Sequence, residues 1–271
     1  MDGTLTEPQI VALLCRTSDR ELHGAEASAA LARELGERVG LDPRLIGSAQ
    51  EPRDGGWEED LRDGRGCLLE AGGQLEDALN AGRRPLLVAA DCSIAVATLP
   101  VLVRERPEAW VVWLDAHPDF NTPESSPSGF LGGMCLAGAC GLWDTGFGAG
   151  LDPTRVVQCG IRSTDGGEQV LLERSGVARI ERPADLAAAI EGREVFVHLD
   201  LDVLDPSVLP FQFPVEGGFS EEGLRTLLTE VVDAASEVLG AEITSLTQPA
   251  QASHAADIVE ALLGLQEPDD E

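Results

Sequence analysis

The sequence predicts a three-layer α/β/α fold with a mainly parallel central sheet. Apolar runs of strand length alternate with segments of helical composition, which indicates a parallel sheet covered by helices on both faces. The 271 residues are enough for one large domain with a complete core. Acidic clusters follow two of the apolar runs, and open parallel sheets bind ligands beyond the carboxyl ends of their strands. We therefore expect a single α/β domain over residues 1–271, with its functional site at that edge.

The individual elements follow from composition and from the spacing of apolar residues. Strands are predicted at residues 10–15, 45–47, 85–90, 110–114, 156–161, 178–180, 195–199 and 240–246. Helices are predicted at residues 25–38, 68–81, 94–103, 134–140, 165–174, 184–190, 221–238 and 255–263. Residues 51–66 are charged and glycine-rich without an apolar period, so they are predicted to form a surface loop, and the acidic tail 266–271 is predicted to fray. Residues 118–131 and 206–218 form long loops dense in proline, as active-site loops often do.

The chain is strongly acidic, with 48 Asp and Glu residues against 19 arginines and no lysine, for a net charge of −29. Such a surface repels nucleic acid and anionic membranes, although it attracts cationic solutes such as guanidino compounds. We attribute most of this charge to solubility or to adaptation to salt. The apolar runs fall far short of the roughly 20 residues that span a bilayer, and the first residues do not resemble a secretory signal. We therefore expect a cytoplasmic protein without nucleic-acid or membrane partners.

Six cysteines are spread along the chain without a Cys-x-x-Cys pair. They are Cys15, Cys67, Cys92, Cys135, Cys140 and Cys159. Because their density is far below that of a disulfide-stabilised small domain, reduced core thiols are predicted.

Three metal-binding side chains follow the apolar run at residues 110–114. Asp115, His117 and Asp119 occupy alternate positions, and alternate residues of an extended strand point to the same side. Two carboxylates so close together repel each other unless a cation or a proton lies between them. The stretch therefore indicates a metal site, with an acidic loop around the turn-forming Pro118 as the alternative.

A second acidic pair follows the apolar run at residues 195–199. Asp200 and Asp202 again share one side of a strand end, and two buried Asp residues without a lysine partner are costly without a metal. Cys92 follows another predicted strand and is a third contributor to the same edge. His198 shares the strand face of Asp200, so it is a candidate acid–base group or a partner of a metal ligand. A hydrogen-bonded core histidine is the simpler alternative for it.

Four motifs of the chain resemble those of the arginase, agmatinase and formiminoglutamase family, in the same order. They lie at residues 115–124, 128–134, 160–163 and 200–206. The resemblance implies an arginase-like fold, two Mn²⁺ ions per chain, and hydrolysis of a C–N bond in a guanidino or amidino compound by a hydroxide that bridges the metals. Members of the family are commonly trimers or hexamers, so the resemblance also implies a homo-oligomer.

The resemblance assigns five of the six family metal ligands. They are Asp115, His117, Asp119, Asp200 and Asp202, an oxygen-rich set that suits Mn²⁺ better than Zn²⁺ or copper. The sixth family ligand is a histidine, and this sequence has Cys92 at its position. A thiolate can ligate a divalent metal and would favour Zn²⁺, Fe²⁺ or Co²⁺ there, or the position no longer binds metal. Asp119 and His198 are the residues to which we assign catalytic roles.

The same resemblance assigns four substrate-binding residues. Asn121 and Ser128 match positions that meet the α-carboxylate of an amino acid, and Asp165 and Glu168 match carboxylates that meet its α-ammonium group. Asp165 and Glu168 also fit the first turn of a helix as a capping pair, which is the structural alternative.

Two positions depart from the family pattern. Gly132 stands where arginases have a proton-shuttling histidine, and Leu246 stands where they have the glutamate that meets the guanidinium. Arginine hydrolysis should therefore be poor, since each loss is in the range of about two to four powers of ten given for acid–base catalysis. A less basic hydroxyguanidine depends less on a carboxylate, so an arginine-like or N-hydroxyarginine-like substrate is predicted. The alternatives are an inactive arginase-fold binding partner and, more weakly, a zinc deacetylase.

Overall fold

The computed structural model describes residues 5–264, and its eight strands form one sheet in which all neighbours are parallel. The strands are β1 Pro8–Leu13, β2 Arg44–Ile46, β3 Arg84–Val88, β4 Trp110–Leu114, β5 Val156–Cys159, β6 Ala178–Ile180, β7 Glu194–Asp200 and β8 Glu237–Thr244. Their order across the sheet is β2-β1-β3-β8-β7-β4-β5-β6. The parallel sheet predicted from the sequence is confirmed.

Helices cover both faces of this sheet. They are α1 Gly24–Val39, α2 Trp57–Asn80, α3 Ala95–Glu105, α4 Cys135–Ala139, α5 Gly166–Ser175, α6 Leu186–Ile190, α7 Glu221–Ala234 and α8 Ala252–Val259. Apolar side chains of α1, α6, α7 and α8 pack against one face, and those of α2, α3 and α4 pack against the other. The three-layer α/β/α architecture is therefore confirmed.

The centre of the sheet is the part that positions the site. Strands β3, β8, β7 and β4 are consecutive neighbours, and nearly all of their side chains are buried because helices lie on both sides. The strands run in the same direction, so their carboxyl ends meet at one edge. That edge carries Cys92 after β3, Asp115 after β4, Asp202 after β7 and Ser245 after β8.

The surface loop predicted at residues 51–66 is wrong in its second half, because α2 begins at Trp57. The buried side of its first turns includes Asp60 and Leu61. The Asp60 carboxylate accepts a hydrogen bond of 2.7 Å from the guanidinium of Arg16, and both side chains are almost fully buried. A helix that buries an ion pair lacks the apolar period by which helices are recognised in a sequence.

The helix predicted at residues 221–238 is also too long. Helix α7 ends at Ala234, and the following strand already begins at Glu237 rather than at residue 240. The Ser236 N–H donates to the Arg193 carbonyl at 2.9 Å, so the chain turns there through a backbone contact with another segment. No proline or glycine marks the turn in the sequence, and the boundary could not be read from local signals.

The prediction that all six cysteines are reduced stays a prediction for one pair. The sulfurs of Cys15 and Cys67 lie against each other with the two Cα atoms 6.5 Å apart, which brings the segment after β1 against α2. Cys92, Cys135, Cys140 and Cys159 are free thiols. The two residues are 52 positions apart and belong to no local motif, so their proximity depends on the tertiary fold.

The acidic tail at residues 266–271, predicted to fray, lies outside the described residues. Over residues 5–264 no helix combines the length and apolar character that a membrane crossing requires.

Candidate metal and active site

A cavity of about 280 Å³ lies at the carboxyl edge of the sheet. Its walls include all six predicted metal ligands, Cys92, Asp115, His117, Asp119, Asp200 and Asp202. The four predicted substrate-binding residues, Asn121, Ser128, Asp165 and Glu168, also line it. The structure thus brings together at one cavity residues that are spread over more than 100 positions of the chain.

The first ligand group joins the ends of β4 and β7. His117 Nδ1 lies 3.0 Å from Asp202 Oδ2 and 3.5 Å from Asp115 Oδ1. One ligand atom from each of these three side chains lies within 4.8 Å of the others, close enough for a single ion. Backbone amides fix the carboxylates, since Asp115 Oδ1 accepts from the His117 N–H at 2.6 Å and Asp202 Oδ1 accepts from the Ala116 N–H at 3.1 Å.

Asp119 reaches the cavity through an unusual backbone conformation. Its φ of 50° lies in the left-handed region, which residues other than glycine rarely adopt. The conformation is held because the Asp119 carbonyl accepts from the N–H groups of Leu136 and Ala137, at 3.1 and 3.3 Å, in the first turn of α4. Such outliers concentrate at functional sites, where the surrounding structure enforces them.

The second group centres on Cys92 and Asp200. Cys92 Sγ lies 2.8 Å from Asp200 Oδ2, 3.9 Å from Asp115 Oδ2, and 3.2 Å from Thr244 Oγ1. Asp200 Oδ2 also accepts from Ser245 Oγ at 2.5 Å, and its Oδ1 accepts from the Asp202 N–H at 2.7 Å. The thiol therefore lies among carboxylates and faces the same cavity as the first group.

Burial and mutual repulsion disfavour the negative charge of several carboxylates in the cluster. Burial, and then the charge of Asp202, raise the pKa of Asp200 to about 6. Burial also raises the pKa values of Asp115 and Asp119 well above the usual range. Burial alone would lower the pKa of His117, but its hydrogen bonds to Asp115 and Asp202 outweigh that effect and raise it to about 12. The His117 contact in turn leaves the pKa of Asp202 below its usual value despite burial.

These residues fit divalent metal ions. The cavity gathers four carboxylates, an imidazole and a thiol, whose negative charges are buried and unfavourable in the absence of cations. The carboxylate-rich set matches the preference of Mn²⁺, and only Cys92 adds a soft ligand.

We expect the metal-free protein to lose stability as the pH rises from about 5 to about 8. Burial raises the pKa of Asp200 to about 6 and those of Glu168 and Asp19 to about 7, from ordinary values of 3.8, 4.5 and 3.8. Between the unfolded and folded pKa values the folded state binds more protons, so the free energy of unfolding falls as the pH rises. Each shift corresponds to about 3 to 4 kcal/mol.

Melting temperatures of the chelator-treated protein at both pH values, in high salt to screen surface charge, would measure this effect. Mn²⁺ should raise the melting temperature more at pH 8 than at pH 5, because it binds the ionised carboxylates. Asp200→Asn should flatten the pH dependence. A metal-free melting temperature that rises from pH 5 to pH 8 would contradict the expected direction.

Three of the four predicted substrate residues form a hydrogen-bonded group on the cavity wall, whereas Ser128 accepts from the Phe130 N–H at 3.2 Å. Asn121 Nδ2 donates to Asp165 Oδ2 at 3.1 Å. Glu168 is buried, and its two oxygens accept from the Phe120 N–H at 2.8 Å and the Asp165 N–H at 3.1 Å. Asp165 and Glu168 make the capping pair of α5, so the structural alternative weighed for them is present. Their substrate-binding role stays a prediction, which the capping contacts do not exclude because both side chains also line the cavity.

His198 does not line the cavity. Its side chain is fully buried behind Cys92, and its two ring nitrogens contact Cys92 and Glu242. The acid–base role assigned to His198 stays a prediction. One ring nitrogen of His198, the Cys92 sulfur and one Asp115 oxygen lie within 4.8 Å of one another, so these three side chains could also share one ion.

The structure shows the surroundings of the two positions that depart from the family pattern. A Cβ atom on Gly132 would lie 2.5 Å from the ring of Phe130, so the aromatic side chain fills the space beside the missing histidine. Leu246 is 2% exposed and packs in the apolar core, whereas the adjacent Ser245 lines the cavity with a φ of 67°. Position 246 therefore does not face the site in this chain.

Several residues that sequence reasoning did not single out support the site. The guanidinium of Arg162 donates to the carbonyls of Asp202, Val203 and Leu204, at 2.7, 3.2 and 3.1 Å, and so holds the turn after β7. Arg162 belongs to the motif at residues 160–163, and this motif was the sequence signal that could have identified it. Arg20, Gln212 and Phe213 line the mouth, but no sequence pattern connects their loops to the cavity.

Comparisons with known proteins agree with this arrangement. The sequence model of the arginase family matches residues 59–264. The chain is 36% identical over 258 residues to the N(omega)-hydroxy-L-arginine amidinohydrolase of Streptomyces lavendulae, covering 93% of each protein. It is 32% identical to an arginase of Bacillus caldovelox over 70% of each chain. The crystal structure of arginase from Bacillus subtilis superposes with a TM-score of 0.82 at 24% identity, covering 97% of this chain and 100% of the other, which shows a common fold. The chain belongs to the arginase family.

Proposed function

We propose that the protein hydrolyses the guanidino group of an N-hydroxyarginine-like amino acid with the help of two divalent metal ions. The observation that carries this proposal is the set of six ligand side chains around one cavity, in which a thiol takes the place of one family histidine. The similarity to an N(omega)-hydroxy-L-arginine amidinohydrolase over 93% of the chain supports the substrate class. Five ligand positions carry the family residue, which argues against the inactive binding partner, and membership of the arginase family argues against a deacetylase.

The metal ions would be held by the same six residues. Asp115, His117 and Asp202 offer one compact group, and Cys92, Asp119 and Asp200 complete the set. When bound, the metals would supply the Lewis acidity that activates water for attack on the guanidino carbon. Mn²⁺ is the proposed metal for the oxygen-rich positions, with Zn²⁺, Fe²⁺ or Co²⁺ as possible occupants beside Cys92.

The chain's own residues would bind and orient the substrate. Asn121 and Ser128 are proposed to meet its α-carboxylate, while Asp165 and Glu168 are proposed to meet its α-ammonium group. The guanidino end would then point toward the carboxylate cluster, since these two groups of residues line the same cavity. Hydrolysis at the alkyl nitrogen breaks one C–N bond and gives a primary amine and N-hydroxyurea.

The remaining features of the proposal concern the whole protein. We infer a single arginase-like domain that assembles as a homo-oligomer, a trimer or hexamer by resemblance to the family, in the cytoplasm. Neither nucleic acid nor membrane is a proposed partner of so acidic a chain.

We expect N-hydroxyarginine to be hydrolysed on the order of 100-fold or more faster than arginine, judged by kcat/KM. Position 132 lacks the shuttle histidine, and position 246 lies outside the cavity. The site therefore lacks groups of the kind that accelerate a reaction by about 10² to 10⁴-fold through general acid–base catalysis. The measurement is product release from both substrates by the Mn²⁺-loaded protein. Faster turnover of arginine, or no turnover of either compound, would contradict the proposed substrate.

A further inference from the structure

A buried chain of polar side chains lies behind the Cys92 sulfur. Cys92 Sγ is 3.2 Å from His198 Nε2, and His198 Nδ1 is 2.8 Å from Glu242 Oε1. Glu242 Oε2 in turn accepts from Thr98 Oγ1 at 2.7 Å. The side chains of His198, Glu242 and Thr98 are fully buried, whereas Cys92 faces the cavity. The sulfur is thus the point at which this chain of contacts reaches the site.

The sheet itself fixes the imidazole in place. His198 lies on β7, directly opposite Trp113 on β4 and Glu242 on β8 in the strand register. The Trp113 indole stacks on the imidazole with ring centroids 3.5 Å apart and planes 4° apart. The ring therefore cannot tilt without moving a buried tryptophan, and its Nδ1 is committed to Glu242. Nε2 is left to face the sulfur.

Such an arrangement is unfavourable as mere core packing. A buried carboxylate and imidazole gain no net stability over apolar residues of similar size unless every polar atom is paired. Here the pairing is completed only if Nε2 contacts the Cys92 sulfur, which itself touches Asp200 at 2.8 Å. We therefore expect that His198 and Glu242 fix the position of the Cys92 thiol.

We propose that His198, oriented by Glu242 and Trp113, is a positioning residue that holds the Cys92 sulfur as a metal ligand. The inference rests on the proposed metal site and deepens it. Metal-ligating residues commonly have a partner that fixes their orientation, and here the imidazole from β7 supports a thiol from the turn after β3. Nε2 contacts the sulfur as acceptor from the thiol or as donor to the thiolate, so the contact persists when metal binds. The imidazole that contacts Cys92 comes from β7, which β8 separates from β3 in the sheet.

The test is the binding of Co²⁺ to the metal-free protein, followed by elemental analysis and by the sulfur-to-cobalt charge-transfer absorption. The variants are His198→Ala, His198→Gln, Glu242→Gln and Cys92→Ser, with His254→Ala as a control because His254 pairs with Glu221 on another surface. We expect His198→Ala to weaken one of two Co²⁺ sites by about 10 to 100-fold, as loss of such partners usually does, and to reduce the sulfur absorption. His198→Gln, which restores an N–H near the Nε2 position, should recover part of both signals.

Two further comparisons make the proposal falsifiable. If His198 acts through sulfur, His198→Ala should weaken Co²⁺ binding no further in a Cys92→Ser background. An equal additional loss in that background would mean that the imidazole binds the metal itself, and would overturn the proposal. Unchanged Co²⁺ affinity and absorption in His198→Ala would also overturn it, since the histidine would then be part of the core only. If His198→Ala does not fold, His198→Gln and Glu242→Gln carry the same comparison.

These readouts are independent of turnover. A wild-type protein that shows the sulfur absorption but hydrolyses no hydroxyguanidine would refute the proposed function and leave the positioning role intact. A wild-type protein that hydrolyses N-hydroxyarginine with a metal affinity insensitive to His198 would refute the positioning role alone.

Discussion

Asp200→Asn is expected to abolish metal-dependent hydrolysis while stabilising the metal-free protein. Asp200 Oδ2 lies 2.8 Å from the Cys92 sulfur and 2.5 Å from Ser245 Oγ, so this carboxylate is the centre of the second ligand group. An amide of the same shape cannot supply its charge. Losing several kcal/mol of transition-state stabilisation by the metals corresponds to a rate decrease on the order of 10³-fold or more.

The opposite effect on stability follows from the raised pKa of Asp200, about 6, because an amide removes a buried charge at neutral pH. Asp205→Asn is the matched control, since Asp205 follows the same strand but is only partly buried and accepts hydrogen bonds from Ser207 and Gly217 in a turn. Metal content, product release and the metal-free melting temperature measure the three quantities. Hydrolysis by Asp200→Asn at more than about a tenth of the wild-type rate would contradict the assignment of Asp200 as a metal ligand.

Leu246→Glu is expected to destabilise the protein severely without creating arginase activity. Arginases carry a glutamate at the aligned position, but Leu246 is 2% exposed and packs in the apolar core. A carboxylate there would be buried without a partner, which costs several kcal/mol and places the substitution among the most damaging point changes, at about 4 kcal/mol or more. Leu246→Met, which keeps the apolar volume, should cost less than about 1.5 kcal/mol.

Denaturant unfolding of both variants and arginine hydrolysis by the soluble fraction are the measurements. The contradictory result is a stable Leu246→Glu protein that hydrolyses arginine. It would mean that position 246 faces the cavity and that its leucine alone accounts for the altered specificity.

The sequence was informative wherever strand ends carry polar residues. Buried strands of a parallel sheet are apolar throughout, so the change to Asp115 and to Asp200 marks the edge at which ligands bind. Cys92 could be placed beside them because it also follows a buried strand. The cavity confirms that these residues meet, and the strand order that brings them together could not be read from the sequence, since β8 lies between β3 and β7 although it comes last in the chain.

The remaining differences arise from contacts between distant segments. The beginning of α2 was not predicted, because its buried side carries Asp60, which pairs with Arg16, instead of an apolar residue. The hydrogen-bond distance of 2.8 Å between His198 Nδ1 and Glu242 Oε1 is a second example. Such a contact depends on the register between β7 and β8, which two separate sequence segments do not specify.

The most direct test of the metal-dependent function is to measure metal content and N-hydroxyarginine hydrolysis on the same preparation, purified with Mn²⁺ present. If two divalent ions together activate one water, the protein should contain about two metals per chain. Release of N-hydroxyurea should then stop after chelation and return when Mn²⁺ is restored. One metal or none per chain, or hydrolysis that persists after complete chelation, would contradict it.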